Sequence, residues 1–503
     1  MSANTALIWL IALPLIAAPL IYLAGRLSLR ANHNQRSPIA AWLGVLTMLA
    51  CGYPLFFVGQ AVLAGTPVEL AINAIHLRMD GIGFLLAVVV LLLGAMVMIF
   101  STAYMAGDKG EEKYYALLTA MVGSIIGLGC ANDLFNLWIW FEGMAITSYM
   151  LVAFYTTQPA SLEAGFKYLV QSAAGSVFVL LGIVLVFSQT GTLDLLAIRS
   201  AVHSPDPAFL LAGAAFLIGF GVKSALVPLH TWLPDAHSQA PSGISAMLSG
   251  VVIEAGLVAM LRSLGSLSGA GNAWGGLLLG FGAVNMIVGN LMALRQTQVK
   301  RLLAYSSLSH MGYMLVGLGV AVAFKITNGA AGGFFHLFTH SLMKGLAFLA
   351  AGALLYTLHI ARGDHNPLTL DDLNGASKRY PLAVFALSIA VLALGGLPPL
   401  AGFMSKWQIF VAGAQTQNTW VILLVIFAAL NSLLSLGYYA PLVNRMYRRI
   451  PSATVENGKP SPKIMAVPLI LLTLGVVVFG FAPAWINWLT APAASSLLAL
   501  FGG

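Results

Sequence analysis

Charge is what this sequence has least of: 8% of its 503 residues are Asp, Glu, Lys or Arg, whereas a soluble domain carries roughly a quarter. With 59% hydrophobic residues, that shortage excludes a soluble globular protein. Cysteine is almost missing as well. Cys51 and Cys130 stand apart with no CxxC pair, which excludes an iron-sulfur cluster or a zinc site held by this chain. No P-loop and no GxGxxG motif is present, so nucleotide and redox chemistry belong to another subunit and no cofactor is expected. Long polar stretches are also lacking. Segments 26-37, 65-80, 358-380 and 445-464 are only loop-sized, so residues 1-503 read as a single polytopic membrane domain.

What is abundant is apolar runs of about 20 residues, each long enough to cross roughly 30 Å of hydrocarbon as a helix. About fourteen such spans are expected, near 5-25, 38-64, 81-105, 114-131, 133-156, 164-189, 208-226, 244-263, 274-294, 302-323, 330-357, 381-413, 419-444 and 465-483. The first lacks a basic start and contains Pro14 and Pro19, so it reads as a membrane helix rather than a signal peptide. Residues 66-79, with Val68, Leu70, Ile72 and Ile75, suggest a short hairpin.

The formal charge of +8 raises the question of nucleic acid, and the placement of the basic residues answers it. Arg26, Arg30 and Arg36; Lys109 and Lys113; Arg295, Lys300 and Arg301; Arg362, Lys378 and Arg379; and the group from Arg445 to Lys463 all follow odd-numbered spans. The intervening loops hold little beyond Arg78, Arg199, Arg262 and Lys325. The positive-inside rule therefore accounts for the charge without nucleic acid and places both termini outside a bacterial plasma membrane.

Two spans are interrupted in matching ways. Lys223 is followed by Pro228, Pro234 and Pro241 in the seventh, and Pro398 and Pro399 precede Lys406 in the twelfth. Proline removes a backbone donor, and breaks at membrane depth persist only where protein or water satisfies the freed groups. Such breaks five spans apart fit two inverted five-helix repeats, helices 4-8 and 9-13, covering 114-263 and 274-444.

The spans also contain Glu142, Lys167, Lys223, Glu254, His310, His336, His340, Lys344 and Lys406. An acid or lysine near mid-bilayer costs about 2.5-3.5 kcal/mol on the insertion scale, so these groups mark an ion pathway or buried pairs. Lys167 and Lys344 have the alternative of snorkelling from span ends. His336 and His340 share a helix face and could ligate a metal, but no HExxH accompanies them and no metal is expected. A Glu142-Lys223 pair at ~4 Å is worth about 4 kcal/mol at an effective dielectric near 20. Moving a proton against ~180 mV requires about the same.

The stretches LWIWFEGMAITSYML, EAGFKYLVQSAAGS, KSALVPLHTWLPDAHSQAPSGISAMLSG, RQTQVKRLLAYSSLSHMGYML, FFHLFTHSLMKGLAFLAAG and GGLPPLAGFMSKWQIF resemble the antiporter-like subunits of respiratory complex I, Mrp sodium/proton antiporters and membrane-bound hydrogenases. The resemblance covers nearly the whole chain. It implies an all-α integral membrane fold of fourteen helices whose two inverted units each hold a half-channel for protons. Glu142, Lys167, Lys223 and Lys406 fall on the family's ionisable positions of helices 5, 6, 7 and 12, and His310, His336 and His340 on polar positions linking the half-channels. Glu254 departs from the pattern, since the family usually has a lysine there; Gln298 stands where many M subunits carry an aspartate.

Lys406 and the absence of a long lateral helix favour an M-, N- or D-like subunit. The expected function is proton translocation within a complex I-type NADH:quinone oxidoreductase or a related hydrogenase, alongside other membrane subunits and without redox centres of its own. The rivals are an Mrp-type antiporter subunit moving Na+ as well as protons, an energy-coupling partner in inorganic-carbon uptake, and a scaffold with a dead channel.

Overall fold

The computed structural model describes residues 1-32, 36-72, 75-271, 273-362 and 367-502. Among these, eleven helices are long and apolar enough to cross a membrane, and the shorter Pro207–Lys223 and Pro381–Gly395 are apolar as well. They lie where the apolar runs lie, and the protein is an all-α, multi-pass membrane protein. Long runs of Leu, Val, Ile and Ala have nowhere to hide backbone polar groups in lipid except in helices, which satisfy those groups internally.

Several helices start on an acidic cap. The side chains of Asp80, Asp133 and Asp206 accept hydrogen bonds from the backbone N–H groups of Gly83, Asn136 and Ala208. Each cap satisfies an orphan donor and complements the positive helix end. Each also precedes an odd-numbered span, on the opposite face from the basic loops. Strands Val68–Ile72 and Ile75–Met79 form the antiparallel hairpin on the acidic-cap face, with Val68 opposite Met79.

The helix Thr327–Arg362 runs through the centre, packed by Val299–Phe324, Ala401–Gln415, Pro381–Gly395 and Gly81–Tyr104. Ser242–Ser266 is wholly enclosed, whereas Thr419–Met446 and Lys463–Phe481 show most of their surface to the outside. The ionisable residues are therefore concentrated on the helices best screened from lipid. A further helix, Asn487–Leu500, packs against Gly81–Tyr104. It was not anticipated because Pro492, Ser495 and Ser496 interrupt its apolar run.

Candidate functional site

The first interruption begins at Lys223, the last residue of Pro207–Lys223; the helix resumes at Trp232–Gln239. Side chains from beyond the break satisfy the freed backbone. Asn285 accepts from Val227 N–H at 2.9 Å and donates to the Ala225 carbonyl at 3.1 Å, while Trp232 Nε1 donates to the Val222 carbonyl at 2.8 Å. A buried break of this kind is stable because its polar groups are paired.

Lys223 is fully buried. Its Nζ donates to Ser172 Oγ at 3.3 Å and Ser148 Oγ at 3.5 Å, and it sits 4.2 Å from the centroid of the Tyr168 ring. Tyr168 in turn stacks on Trp232. Hydroxyls and an aromatic face thus contact this amine, and the ring face attracts its charged form. Glu142 forms no ion pair with it: their charged atoms lie beyond 4.0 Å, and Glu142 Oε1 is buried without a hydrogen-bond partner among the described residues.

At the second interruption the order is reversed. Pro381–Gly395 ends, Gly396 takes φ +81°, and Lys406 lies inside the following helix, Ala401–Gln415. Lys406 Nζ reaches back to donate to the Leu394 carbonyl and to Ser432 Oγ, both at 2.8 Å, and lies 4.5 Å from the Tyr313 ring centroid. An ammonium at a helix C-terminus is favourably placed against unpaired carbonyls.

Between the breaks lies a buried polar run. Glu254 Oε1 and His340 Nδ1 are 2.9 Å apart, and both side chains are fully buried. The His340 and His310 rings have centroids 5.4 Å apart. His310 Nδ1 lies 3.0 Å from His336 Nε2, and His336 Nδ1 lies 2.8 Å from Ser405 Oγ, the neighbour of Lys406. Glu254 lies two residues after a π-helical turn, Leu248–Val252, a local rewinding that turns side chains to a new face and occurs often at functional sites. His336 and His340 thus share a helix but serve different partners.

A model of the NADH:quinone oxidoreductase/Mrp antiporter membrane region matches residues 131–432, and one of the complex I chain 5 N-terminus matches residues 70–115. The chain belongs to this family. Among family relatives, the F(420)H(2) dehydrogenase subunit N of Methanosarcina mazei is 33% identical, with 94% of each chain covered. The NADH-quinone oxidoreductase subunit N of Deinococcus radiodurans is 33% identical over 91% of this chain and 92% of the relative. A chain of the membrane-bound sulfane sulfur reductase, an archaeal respiratory membrane complex, superposes with a TM-score of 0.85 at 28% identity, covering 98% of this chain and 99% of that one. These relatives act within multisubunit membrane complexes.

Two lysines of this family member take different positions from each other. Lys344 is buried, donating to the Leu303 carbonyl at 2.8 Å and to Ser306 Oγ, so it does not snorkel. Lys167 is half exposed and bridges Glu163 at 2.7 Å and Asp235 at 3.2 Å, and Asp235 also holds Arg301 at 2.6 Å. That network stands apart from the buried run.

Sequence reasoning missed the hydroxyls of Ser148, Ser172, Ser405 and Ser432, since a serine in an apolar helix gives no signal until a charged atom is found beside it. It also passed over His237, which lies within the quoted seventh-span motif. The ring of His237 is buried, stacks on Phe348 with centroids 4.7 Å apart, and has neither nitrogen hydrogen-bonded among the described residues.

Proposed function

We propose that this chain carries protons across the membrane as an N-type subunit of a complex I-type respiratory assembly. The observation that supports this most is the buried run Glu254, His340, His310, His336, Ser405 and Lys406, in which acid, imidazole, hydroxyl and amine follow one another. Each imidazole accepts a proton on one nitrogen and releases one from the other, the property that makes histidine a proton shuttle. Lys223 and Glu142 serve the half-channel of residues 114-263, and Lys406 that of 274-444; the two units are read as inverted repeats. Lys344 lies beside the run, and Lys167, at the surface, is assigned to the approach to it.

In this reading Glu254 acts with His340 as an acid-base pair where an amine would otherwise stand. A proton passing from imidazolium to carboxylate leaves the pair with zero net charge in both forms, which suits a low-dielectric site. Glu142 and Lys223, apart in this state, approach in another. Making and breaking one such contact is worth about 4 kcal/mol at an effective dielectric near 20, enough to lift a proton against ~180 mV. The driving change comes from neighbouring subunits, since the chain supplies no electron carrier in this scheme. The membrane is a plasma membrane, with both termini on the outer side.

The test is donor-driven acidification of inverted membrane vesicles containing the intact complex. Glu142→Gln, Lys223→Ala and Lys406→Ala are each expected to reduce proton translocation by about tenfold or more while the complex still assembles. If all three pump like the parent, these residues are wrongly assigned. Sodium-dependent proton movement without an electron donor would instead select the antiporter reading.

A further inference from the structure

The face carrying the hairpin and the acidic caps contains a cavity of about 220 Å³ that shares no residue with the polar run. Its lining brings together three guanidinium groups, those of Arg78, Arg199 and Arg262, against a single carboxylate, Asp80. Asp80 answers Arg262, with contacts of 2.8 and 3.1 Å, and the Gly129 carbonyl takes a further bond at 2.6 Å. Arg262 itself is only 2% exposed, and its Nε is sealed in with no partner among the described residues. Glu69, outside the cavity lining, answers Arg78 at 2.9 Å. Arg199 has no carboxylate within 4.0 Å among the described residues and gives one N–H to the Ala499 carbonyl. Lys325 Nζ donates to the nearby Phe501 carbonyl and adds positive charge rather than removing it. The remaining wall includes Leu195 and Leu500.

An unanswered guanidinium beside two paired ones, with apolar walls at the level where the helices end, specifies an amphipathic anion. We propose that this cavity binds a phosphate group, supplied by the headgroup of an acidic phospholipid or by free phosphate. Arginine presents its donors in a planar fork that matches phosphate oxygens bidentately. The volume falls below the roughly 300–1,000 Å³ of sites for drug-sized ligands, which suits a headgroup whose acyl chains remain in the bilayer. The apolar lining favours the lipid over the free ion. This inference is independent of the proton path, because neither its residues nor its ligand enter that path.

The experiment uses the native assembly, delipidated in detergent and titrated in parallel with phosphatidylglycerol, phosphatidylcholine and inorganic phosphate. Thermal midpoint and phospholipid retained in native mass spectra are read for each. Phosphatidylglycerol should stabilise the complex and be retained, phosphatidylcholine should not, and Arg199→Gln should weaken the apparent affinity by about tenfold. Arg199→Lys, keeping the charge without the fork, should fall between, and Arg445→Gln on the opposite face should match the parent. Stabilisation by inorganic phosphate equal to that by the lipid supports the site with a soluble ion as its ligand. Equal retention by the parent and Arg199→Gln, or equal stabilisation by phosphatidylcholine, overturns the proposal.

Discussion

At the scale of single residues, the decisive contact joins Glu254 to His340 across 86 positions of sequence. Glu254→Gln keeps the volume and a hydrogen bond to the ring but removes the exchangeable proton; proton translocation should fall about ten- to hundredfold, read by dye quenching in vesicles, with the complex still assembled. A variant that pumps normally would leave the carboxyl with only a packing role. That Glu254 is sunk in apolar surroundings was visible in the sequence, because it is an ionisable group inside an apolar run, where such a group opposes insertion. Which group it meets was not visible: Lys223, Lys406 and the buried histidines were all open to it, and 2.9 Å is decided by how two helices pack. The anticipated Glu142-Lys223 contact shows the same limit, since Lys223 turns instead to Ser148 and Ser172.

At the scale of elements, the two interruptions hold because distant side chains take over the work of the missing helical hydrogen bonds. Asn285→Ala strands Val227 N–H and the Ala225 carbonyl and should cost about 1–3 kcal/mol for each group left buried and unpaired, measured as a lower thermal midpoint in detergent. Gly396 lies at φ +81°, and a Cβ there would approach Ser432 Oγ to 3.0 Å and Lys406 Nζ to 3.5 Å. Gly396→Ala should therefore cost about 1–2 kcal/mol from the left-handed backbone alone, and by crowding Ser432 Oγ, which holds Lys406, it should lower translocation. A variant with an unchanged midpoint and unchanged pumping would contradict that placement. The interruptions themselves were readable from Pro228, Pro398 and Pro399. The partner of the first, Asn285, was not, because an asparagine in a membrane helix looks alike whether it serves its own helix or another.

At the scale of the whole molecule, the face bearing the acidic caps is tied together by ion pairs between segments far apart in sequence. Arg262 and Asp80 pair at 2.8 Å with the arginine almost fully buried; Arg262→Ala leaves Asp80 without its counter-ion and should destabilise the protein by about 3–5 kcal/mol, testable by thermal unfolding against Arg262→Lys. On the same face His76 Nδ1 lies 2.8 Å from Asp194 Oδ2. Burial pushes the Asp194 carboxyl up, but hydrogen bonds from His76 and from the backbone of Ala197 and Leu196 outweigh it and hold the group below its ordinary value. Its contribution is therefore present above about pH 4, the unfolded carboxyl value, and is lost as pH falls through the lower folded value. Asp194→Asn should flatten that acid limb of the stability profile; an unchanged limb would show that the pair does not contribute there. The sequence alone determined that the chain lives in a bilayer, where its spans and breaks fall, and which charges are sunk in apolar surroundings, because the energy of removing a charge from water depends on residue type and local hydropathy. Only the tertiary structure decided which of those charges touch, which hydroxyls bridge them, and that three arginines line one cavity, because hydrogen bonds act over about 3 Å and such distances are set by helix packing rather than by position along the chain.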